Sequence, residues 1–246
     1  MDIFAFPPLT LLLDAAYSAL LSLSTALEPV GGSASAALAV MLVTVGVRAA
    51  LIPVGVSQAR AEQMRARLAP RLRTLQKRHG SDRERLQRET MALYRDEQAS
   101  PLAGCLPLAV QAAVVGVLYT LFLRPEIAGH PNALLTHDLL GAPLGDSLLT
   151  AIGGGLDAQT AVVWAVVLVV IVVVADVTRR VFRPQVPSEG PLAAPGMLGV
   201  MNAMHYLTAV FAVFVPLAAA LYLVITVTWT LAQRAVLRRR YPLPAA

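Results

Sequence analysis

The sequence predicts an all-α membrane protein with five transmembrane helices, an amphipathic interfacial helix at the amino terminus and a cytoplasmic helical hairpin. Composition is the first observation: the 246 residues are 57% hydrophobic and 14% charged, with a mean hydropathy of +0.64. That is too apolar for a soluble chain of this length. The second is a set of five apolar runs, each near the ~20 residues that cross ~30 Å of hydrocarbon as a helix. The third is that eighteen of the twenty lysines and arginines fall on alternate connections between these runs.

The five runs are the predicted transmembrane helices 35–56, 102–123, 159–178, 197–214 and 216–235. The last two are almost continuous. Read as one helix, 197–235 would be roughly 58 Å long, about twice the thickness of the hydrocarbon core. We place the break at Pro216, because proline cannot donate the hydrogen bond that continues a helix.

The charge asymmetry predicts which side of the membrane each connection occupies. The segment 57–101 contains eleven cations, 179–196 contains three, and the last turn with the tail 236–246 contains four. Positively charged connections stay in the cytoplasm. The amino terminus and the connection 124–158, whose only cation is Arg124, are therefore predicted outside. We assign no chemistry to that outer connection.

Residues 1–34 are predicted to form an interfacial segment before the first span. Within it, 8–27 is amphipathic, because polar side chains at three- or four-residue spacing form one stripe and leucines and alanines fill the rest. The stripe consists of Thr10, Asp14, Ser18, Ser22 and Thr25. The alternative is that 8–27 is itself a span with Asp14 buried, which would place the amino terminus in the cytoplasm.

The segment 57–98 is predicted to be a helical hairpin. Its first arm runs from Ser57 to His79, with a kink at Pro70. Ser81 is the predicted N-cap of the second arm, because Glu84 three residues later completes a capping box. The second arm runs to about Gln98. Its mixed charges indicate a solvated surface that stays in the cytoplasm.

Arg48 is a full positive charge within the first span, in the stretch MLVTVGVRAALIPVGV (41–56). It lies about nine residues, roughly 13 Å, from the predicted cytoplasmic end, which is further than its side chain reaches. A charge at a helix centre costs ~2.5–3.5 kcal/mol. Asp176 is the only acidic residue within the five runs, and a local pair with Arg179 and Arg180 accounts for it. Arg48 is therefore predicted to face water, neutral polar groups, lipid phosphate or a guest molecule.

Neutral polar side chains within the spans are candidates to share a wet cavity with Arg48. They are Thr44, Gln111, Tyr119, Asn202, His205, Thr208, Thr226, Thr228 and Gln233. From this set we assign to a substrate-binding groove around Arg48 the residues Thr44, Gln111, Tyr119, Asn202, Thr208, Thr228 and Gln233. For any one of them, a simple hydrogen bond between helices is the competing explanation.

The sequence contains no HExxH, GxSxG or GxxxxGK[ST] signature. The four histidines are too scattered for a metal site, and the single cysteine, Cys105, excludes an internal disulfide. We therefore predict a protein that is not an enzyme, has no catalytic residue, metal or cofactor, and recognises no nucleic acid of its own. Its work would be passive and downhill.

Four segments carry a family resemblance. They are VRAALIPV (47–54), LAPRLRTLQKRHGSDRERLQRETMALYRD (68–96), SPLAGCLPLAVQAAVVGVLYTL (100–121) and FVPLAAALYLVITVTWTLAQ (214–233). In order and spacing they resemble the YidC/Oxa family of membrane-protein insertases, across nearly the whole chain. Ser100 and Ala219 depart from the Asn and Gly of the family pattern.

The resemblance implies five core helices around a hydrophilic groove that is open to the cytoplasm and to lipid and closed on the outside. Arg48 would attract the acidic outer tails of guest proteins. It implies a compact, Gram-positive-type member in the bacterial plasma membrane, a chaperone and insertase for nascent membrane proteins in the lipid bilayer. The Sec translocon and the ribosome are the further partners it suggests.

Two other function classes stay open on the sequence. A small transporter or channel would use Arg48 as an anion site, although no internal repeats or Gly/Pro-interrupted pairs of spans are visible. An assembly scaffold without catalysis is the other. Depletion separates the three, because an insertase loses guest membrane proteins, a transporter loses a solute flux, and a scaffold loses one complex.

Overall fold

The protein is mostly helical in a computed structural model. The structure describes residues 7–97, 99, 109, 112, 116–117, 119–124, 126–127, 130–182 and 197–242. Most of the predicted span 102–123 lies outside these residues, as does the part of the predicted cytoplasmic connection from 183 to 196. The chain divides into two compact units, which are Met1–Arg48 with Gly116–Leu231, and Ala49–Val115 with Ala232–Ala246.

Three helical stretches among the described residues are long and apolar enough to cross a membrane. They are Leu13–Ala50, Ala158–Val181 and Leu217–Arg240. A shorter apolar stretch covers Asn202–Phe214. The sequence predicts five spans, so the described part of the chain accounts for three of them by length and composition.

Helix α1 (Pro7–Gly31) opens the first unit and buries one face. Leu13, Tyr17, Leu20 and Ser24 are buried and recur every three or four residues, as one face of a helix requires. Four members of the predicted polar stripe, from Asp14 onward, are exposed on the other side. The amphipathic pattern is therefore present, in a helix a few residues longer than 8–27.

A short 3-10 turn, Gly32–Ala34, joins α1 to helix α2 (Ser35–Ala50). Gly32 has φ +51°, a left-handed conformation that glycine adopts without a steric penalty. The hydroxyl oxygens of Ser24 and Ser35 lie 3.4 Å apart across this turn and are buried. A bond between them satisfies two polar groups that would otherwise be costly to bury.

Helix α2 ends at Ala50, six residues before the predicted end of the first span at 56. Leu51 leaves the helical conformation, and helix α3 (Ile52–His79) begins after it with Pro53 at its second position. Proline is favoured in the first turn of a helix and lacks the N–H that would continue the preceding one. The chain is therefore helical on both sides of this point but not one uninterrupted helix.

The outer connection contains strands that the sequence does not predict. Strand β1 (Glu126–Ile127) pairs with β2 (His130–Pro131), and β3 (Asp138–Leu139) pairs with β4 (Ala142–Pro143), both antiparallel. A 3-10 turn, Ala133–Thr136, and helix α5 (Leu148–Gly153) complete it. The all-α prediction thus holds for the described apolar helices but not for this connection.

The second hairpin depends on the conformation of the turn that joins β3 to β4. Leu140 and Gly141 have φ values of 52° and 86°, the pair of left-handed residues that a type I′ turn needs. The amide of Gly141 donates to a carboxylate oxygen of Asp138 at 3.0 Å. A Cβ at Gly141 would lie 2.5 Å from Oε1 of Gln159, so a larger residue would also displace the end of that side chain.

Two side chains attach the outer connection to the rest of the first unit. The Tyr17 hydroxyl donates to the carbonyl of Pro131 at 3.2 Å and accepts from the amide of Ala133 at 2.8 Å. The Asn132 amide nitrogen donates to the carbonyls of Leu121 and Arg124 at 2.8 and 2.9 Å. Because Asn132 is only 3% exposed, these bonds are shielded from water and difficult to replace.

Helix α6 (Ala158–Val181) contains the predicted span 159–178. Asp157 is its N-cap and accepts from the amides of Gln159 and Thr160. Hydrogen bonds from the Thr160 hydroxyl and then from its amide hold the pKa of the Asp157 carboxyl below its usual value. One face is buried around Trp164 and Ile171, while valines on the other face are exposed, among them Val162, Val166, Val169 and Val173. Such an apolar outer face is suited to lipid.

The predicted spans 197–214 and 216–235 correspond to three helices. They are α7 (Met197–Met204), α8 (Leu207–Phe214) and α9 (Leu217–Arg240). The chain leaves the helical conformation at Val215 and Pro216, where the proline predicts an interruption. A further break at residues 205 and 206, which the sequence does not predict, divides the first of the two segments.

Carbonyl groups of the outer connection cap the start of α9. The amide of Leu217 donates to the carbonyl of Asp146 at 2.9 Å, and that of Ala218 to the carbonyl of Leu144 at 3.0 Å. The first amides of a helix have no partner within it. The outer connection supplies those partners, so the start of α9 is buried without loss of hydrogen bonds.

The second unit contains α3 and helix α4 (Arg83–Asp96), joined by a short turn. Asp82 caps α4, and its carboxylate accepts from the amide of Arg85 at 3.0 Å. The prediction that Ser81 is the cap is wrong by one residue. Helix α3 continues through Pro70, and Arg71 forms an ion pair with Glu97.

The carboxyl-terminal segment contacts α3 within the second unit. Nitrogens of the Arg60 guanidinium donate to the Tyr241 hydroxyl at 3.3 and 3.4 Å. Arg238 pairs with Glu62 at 3.0 Å. The hydrogen bond from Arg60 lowers the pKa of the Tyr241 phenol, because a nearby cation favours the phenolate.

Candidate functional site

The candidate site is built around Arg48, in the last turn of α2. The side chain is only 7% exposed. Its Nη2 donates to the Thr226 hydroxyl oxygen at 3.1 Å, which joins α2 to α9 within the first unit. From the sequence, Arg48 could face water, neutral polar groups, lipid phosphate or a guest molecule. The structure gives it one neutral polar contact, the Thr226 hydroxyl.

No carboxylate lies within salt-bridge distance of Arg48 among the residues that the structure describes. Asp176, the one acid within the predicted spans, pairs with Arg179 at 2.7 Å and Arg180 at 2.6 Å. It also accepts from the Tyr206 hydroxyl at 3.1 Å. The local pair predicted for Asp176 is therefore present. Its carboxylate is bonded to these neighbouring residues.

The end of α2 provides part of the compensation that Arg48 needs. The last carbonyls of a helix carry partial negative charge, and a cation in the last turn gains about 0.3–1 kcal/mol from it. That is smaller than the ~2.5–3.5 kcal/mol cost of a charge in the membrane. Arg48 thus remains a cation whose charge is only partly compensated.

The other predicted groove residues occupy several environments. Thr44 is fully buried, and its hydroxyl donates to the carbonyl of Val40 at 2.7 Å. Tyr119 is 37% exposed, Asn202 and Thr208 are half-buried, and Thr228 is exposed. No side-chain hydrogen bond within the described residues joins these five to Arg48.

One predicted groove residue, Gln233, belongs to the second unit. Gln111 lies outside the described residues. Gln233 is half-buried, and its side chain lies so close to α3 that a Cβ at Gly55 would be 1.7 Å from its Nε2. A larger residue at position 55 would therefore displace the Gln233 amide from this position.

Thr226 is a candidate that our groove assignment leaves out, yet it is the residue that bonds to Arg48. It is one of several hydroxyl-bearing residues in α9, together with Thr228 and Thr230. Helical spacing places Thr226 and Thr230 on one face of α9 and Thr228 on the opposite face, but it does not say which face meets α2. Only the packing of α9 against α2 identifies Thr226 as the partner of Arg48.

No group of three or more histidine, cysteine, aspartate or glutamate side chains is placed to hold a metal ion in the described part of the chain. Arg48 and Thr226 offer hydrogen-bond donors, which suit an anion and repel a metal cation. The donors of this site are suited to an oxygen anion or dipole.

Comparison with known proteins identifies the family. The profile of the family described as 60Kd inner membrane protein matches residues 27–244, which is most of the chain. The chain belongs to the YidC/Oxa family. With its long apolar helices, it is a multi-pass membrane protein.

Several curated relatives share the name membrane protein insertase YidC. The protein of Laribacter hongkongensis is 38% identical over 102 residues, which are 41% of this chain and 18% of that protein. That of Alkalihalophilus pseudofirmus is 35% identical over 97 residues, 37% of this chain and 38% of the relative. That of Clostridium perfringens is 31% identical over 115 residues, 47% and 48% of the two chains. The matched region spans less than half the length of each relative.

Proposed function

We propose that this protein is an insertase and chaperone that moves guest transmembrane helices into the bilayer through a hydrophilic groove containing Arg48. The observation that carries the proposal is Arg48 itself, buried in the first unit with a neutral hydroxyl as partner. Membership of the YidC/Oxa family supports it, as does the name of the relatives. The activity needs no covalent chemistry.

The energetics suit a passive process. A guest helix gains ~0.3–0.6 kcal/mol for each Leu, Ile, Phe or Val that enters lipid, so about twenty such residues supply on the order of 6–12 kcal/mol. The barrier lies in moving the polar flank of the guest across the membrane, because its charges lose water. A groove that holds water for part of the path shortens the dry distance.

In this mechanism Arg48 is a transient counter-charge. A carboxylate on the outer flank of the guest enters the groove and accepts hydrogen bonds from the guanidinium, which offsets part of its desolvation. No carboxylate of the described chain competes for Arg48, so the guest meets an available cation. The carboxylate then passes outward, and the apolar helix leaves sideways into lipid.

The test is insertion into reconstituted liposomes. Vesicles with the purified protein should insert a single-spanning guest, measured as protection of its outer flank from added protease. Empty vesicles should insert much less. A second readout is the flux of small anions through the same vesicles. Anion flux without insertion would support the transporter and contradict the insertase.

The proposal places α3 and α4 in the cytoplasm, because they contain most of the positive charge, and the amino terminus outside. There the α3–α4 hairpin offers a charged surface for the ribosome or the Sec translocon. The connection 124–158 lies outside and contains a single cation, Arg124.

Cysteine labelling tests this orientation. In a Cys105→Ser background, Ser81→Cys and Ala133→Cys should react with a membrane-impermeant maleimide from opposite faces of the membrane. Both positions are exposed in the structure, whereas the neighbouring Asn132 is buried and would label poorly. Reaction of both cysteines from one face would contradict the topology.

A further inference from the structure

Thr226 uses its hydroxyl differently from other threonines in the helices of the first unit. The hydroxyls of Thr44, Thr178 and Thr230 each donate to the carbonyl four residues earlier, at 2.6–2.7 Å. Such a bond to the preceding turn is common for threonine in a helix. Thr226 instead accepts from Arg48 Nη2 at 3.1 Å, and within the described chain its hydroxyl makes no bond to its own helix.

We propose that Thr226 is a positioning residue, which holds the Arg48 guanidinium for a guest carboxylate without neutralising its charge. The inference rests on the proposed insertase function. A guanidinium has five N–H donors, so one bond to Thr226 leaves the others for an incoming carboxylate. The Thr226 hydroxyl also keeps its own proton, which is one further donor to an oxygen anion.

The neutrality of Thr226 is essential to this role. A carboxylate at position 226 would form a permanent ion pair with Arg48, and a guest would have to break that pair before it could bind. A hydroxyl accepts one directional bond and restricts the long side chain of Arg48, which otherwise has many rotamers. The charge of Arg48 therefore stays available while its position is fixed.

Asp176 shows the contrasting arrangement within the same unit. Its carboxylate lies 2.7 Å from Arg179 and 2.6 Å from Arg180, so both cations already have an anionic partner. Such pairs hold a structure together but have little attraction left for a guest. Arg48 bonds to the neutral Thr226 hydroxyl, so its charge stays available to a guest. This difference in partner distinguishes a cation that binds guests from cations that stabilise the fold.

The test uses four variants in reconstituted liposomes and two guests with the same span, one with an aspartate outer flank and one with asparagine there. Thr226→Val keeps the shape and removes the hydroxyl, and Thr226→Ser restores the hydroxyl. Thr226→Asp supplies an internal carboxylate. Thr230→Val is the matched control, because it removes a hydroxyl one turn away that bonds only to its own helix.

Thr226→Val should slow insertion of the aspartate-flank guest about three- to tenfold, the range that one hydrogen bond supplies. It should leave the asparagine-flank guest within about twofold of the wild-type rate. Thr226→Ser and Thr230→Val should insert both guests at close to the wild-type rate. Thr226→Asp should slow insertion of the aspartate-flank guest more than Thr226→Val does. Equal slowing of both guests by Thr226→Val, or no slowing of either, would overturn the inference.

A second measurement does not depend on insertion. An arginine-specific dicarbonyl reagent should modify the Arg48 peptide faster in Thr226→Val than in the wild type or Thr226→Ser, because the guanidinium is no longer held. Equal modification rates in folded protein would contradict the positioning role. If the wild type inserts neither guest, the proposed function fails, and this modification rate still decides whether Thr226 positions Arg48.

Discussion

Replacing Arg48 with alanine should slow the insertion of a guest with an acidic outer flank by about tenfold to a hundredfold. Hydrogen bonds to a charged group are worth about 1.5–3 kcal/mol, and each 1.4 kcal/mol is a factor of about ten. A guest with a neutral flank should insert at close to the wild-type rate, because it presents no carboxylate for Arg48 to compensate. The measurement is the initial rate of flank protection in liposomes for both guests.

The stability of the same variant should move in the opposite direction. A buried cation without an ionic partner costs free energy, so Arg48→Ala should unfold at the same temperature as the wild type or a higher one. Arg48→Lys should keep much of the activity, since a point charge attracts a carboxylate without the guanidinium fork. Arg124→Ala is the control for loss of one positive charge elsewhere. Equal insertion of both guests by Arg48→Ala at wild-type rates would make Arg48 a structural or lipid-binding residue.

Local sequence signals predict the elements that depend on local chemistry. The apolar run 159–178 lies within α6, because a long run of valine and leucine leaves few alternatives to a helix in lipid. Pro216 predicts the start of α9, because the missing N–H acts at that position whatever surrounds it. The cap of α4 is harder, since Ser81 and Asp82 are adjacent and both are good caps. The structure decides for Asp82 by the bond to Arg85.

Local sequence signals do not predict the structure of the outer connection. Its strands have two residues each, too few to show the alternation by which strands are found in a sequence. Its positions depend on distant partners, as Tyr17 bonds to Pro131 and Ala133 more than a hundred residues away. Spacing within one helix contains no information about such contacts.

The candidate site likewise has one part that the sequence predicts and one part that it does not. That Arg48 is a buried cation without a nearby acid follows from its place in an apolar run and from the scarcity of carboxylates there. Its contact with Thr226 joins residues 178 positions apart, and from the sequence we assign Thr228 rather than Thr226 to the groove. Composition therefore predicts that an acidic partner is missing, and tertiary packing selects the residue that Arg48 contacts.

Replacing Asn132 with alanine should lower the free energy of unfolding by about 2–5 kcal/mol, because it leaves several buried polar groups unpaired. The Asn132 side chain donates to the carbonyls of Leu121 and Arg124 and accepts from the amide of Leu134 at 3.2 Å. Thermal unfolding in detergent, followed by helical circular dichroism, measures the loss. Hydrogen exchange should rise first in the amides of residues 133–144, since that segment is attached through Asn132. Thr136→Ala, which removes an exposed hydroxyl bonded to Ala133, should change stability by less than about 0.5 kcal/mol.

Asn132→Asp separates loss of the donors from loss of the side chain. A carboxylate there faces two carbonyls with no proton to donate, whereas the protonated acid donates one hydrogen bond. Asn132→Asp should therefore gain stability relative to Asn132→Ala as the pH falls. A difference between the two variants that does not change with pH, or an Asn132→Ala variant as stable as Thr136→Ala, would contradict the role assigned to this amide.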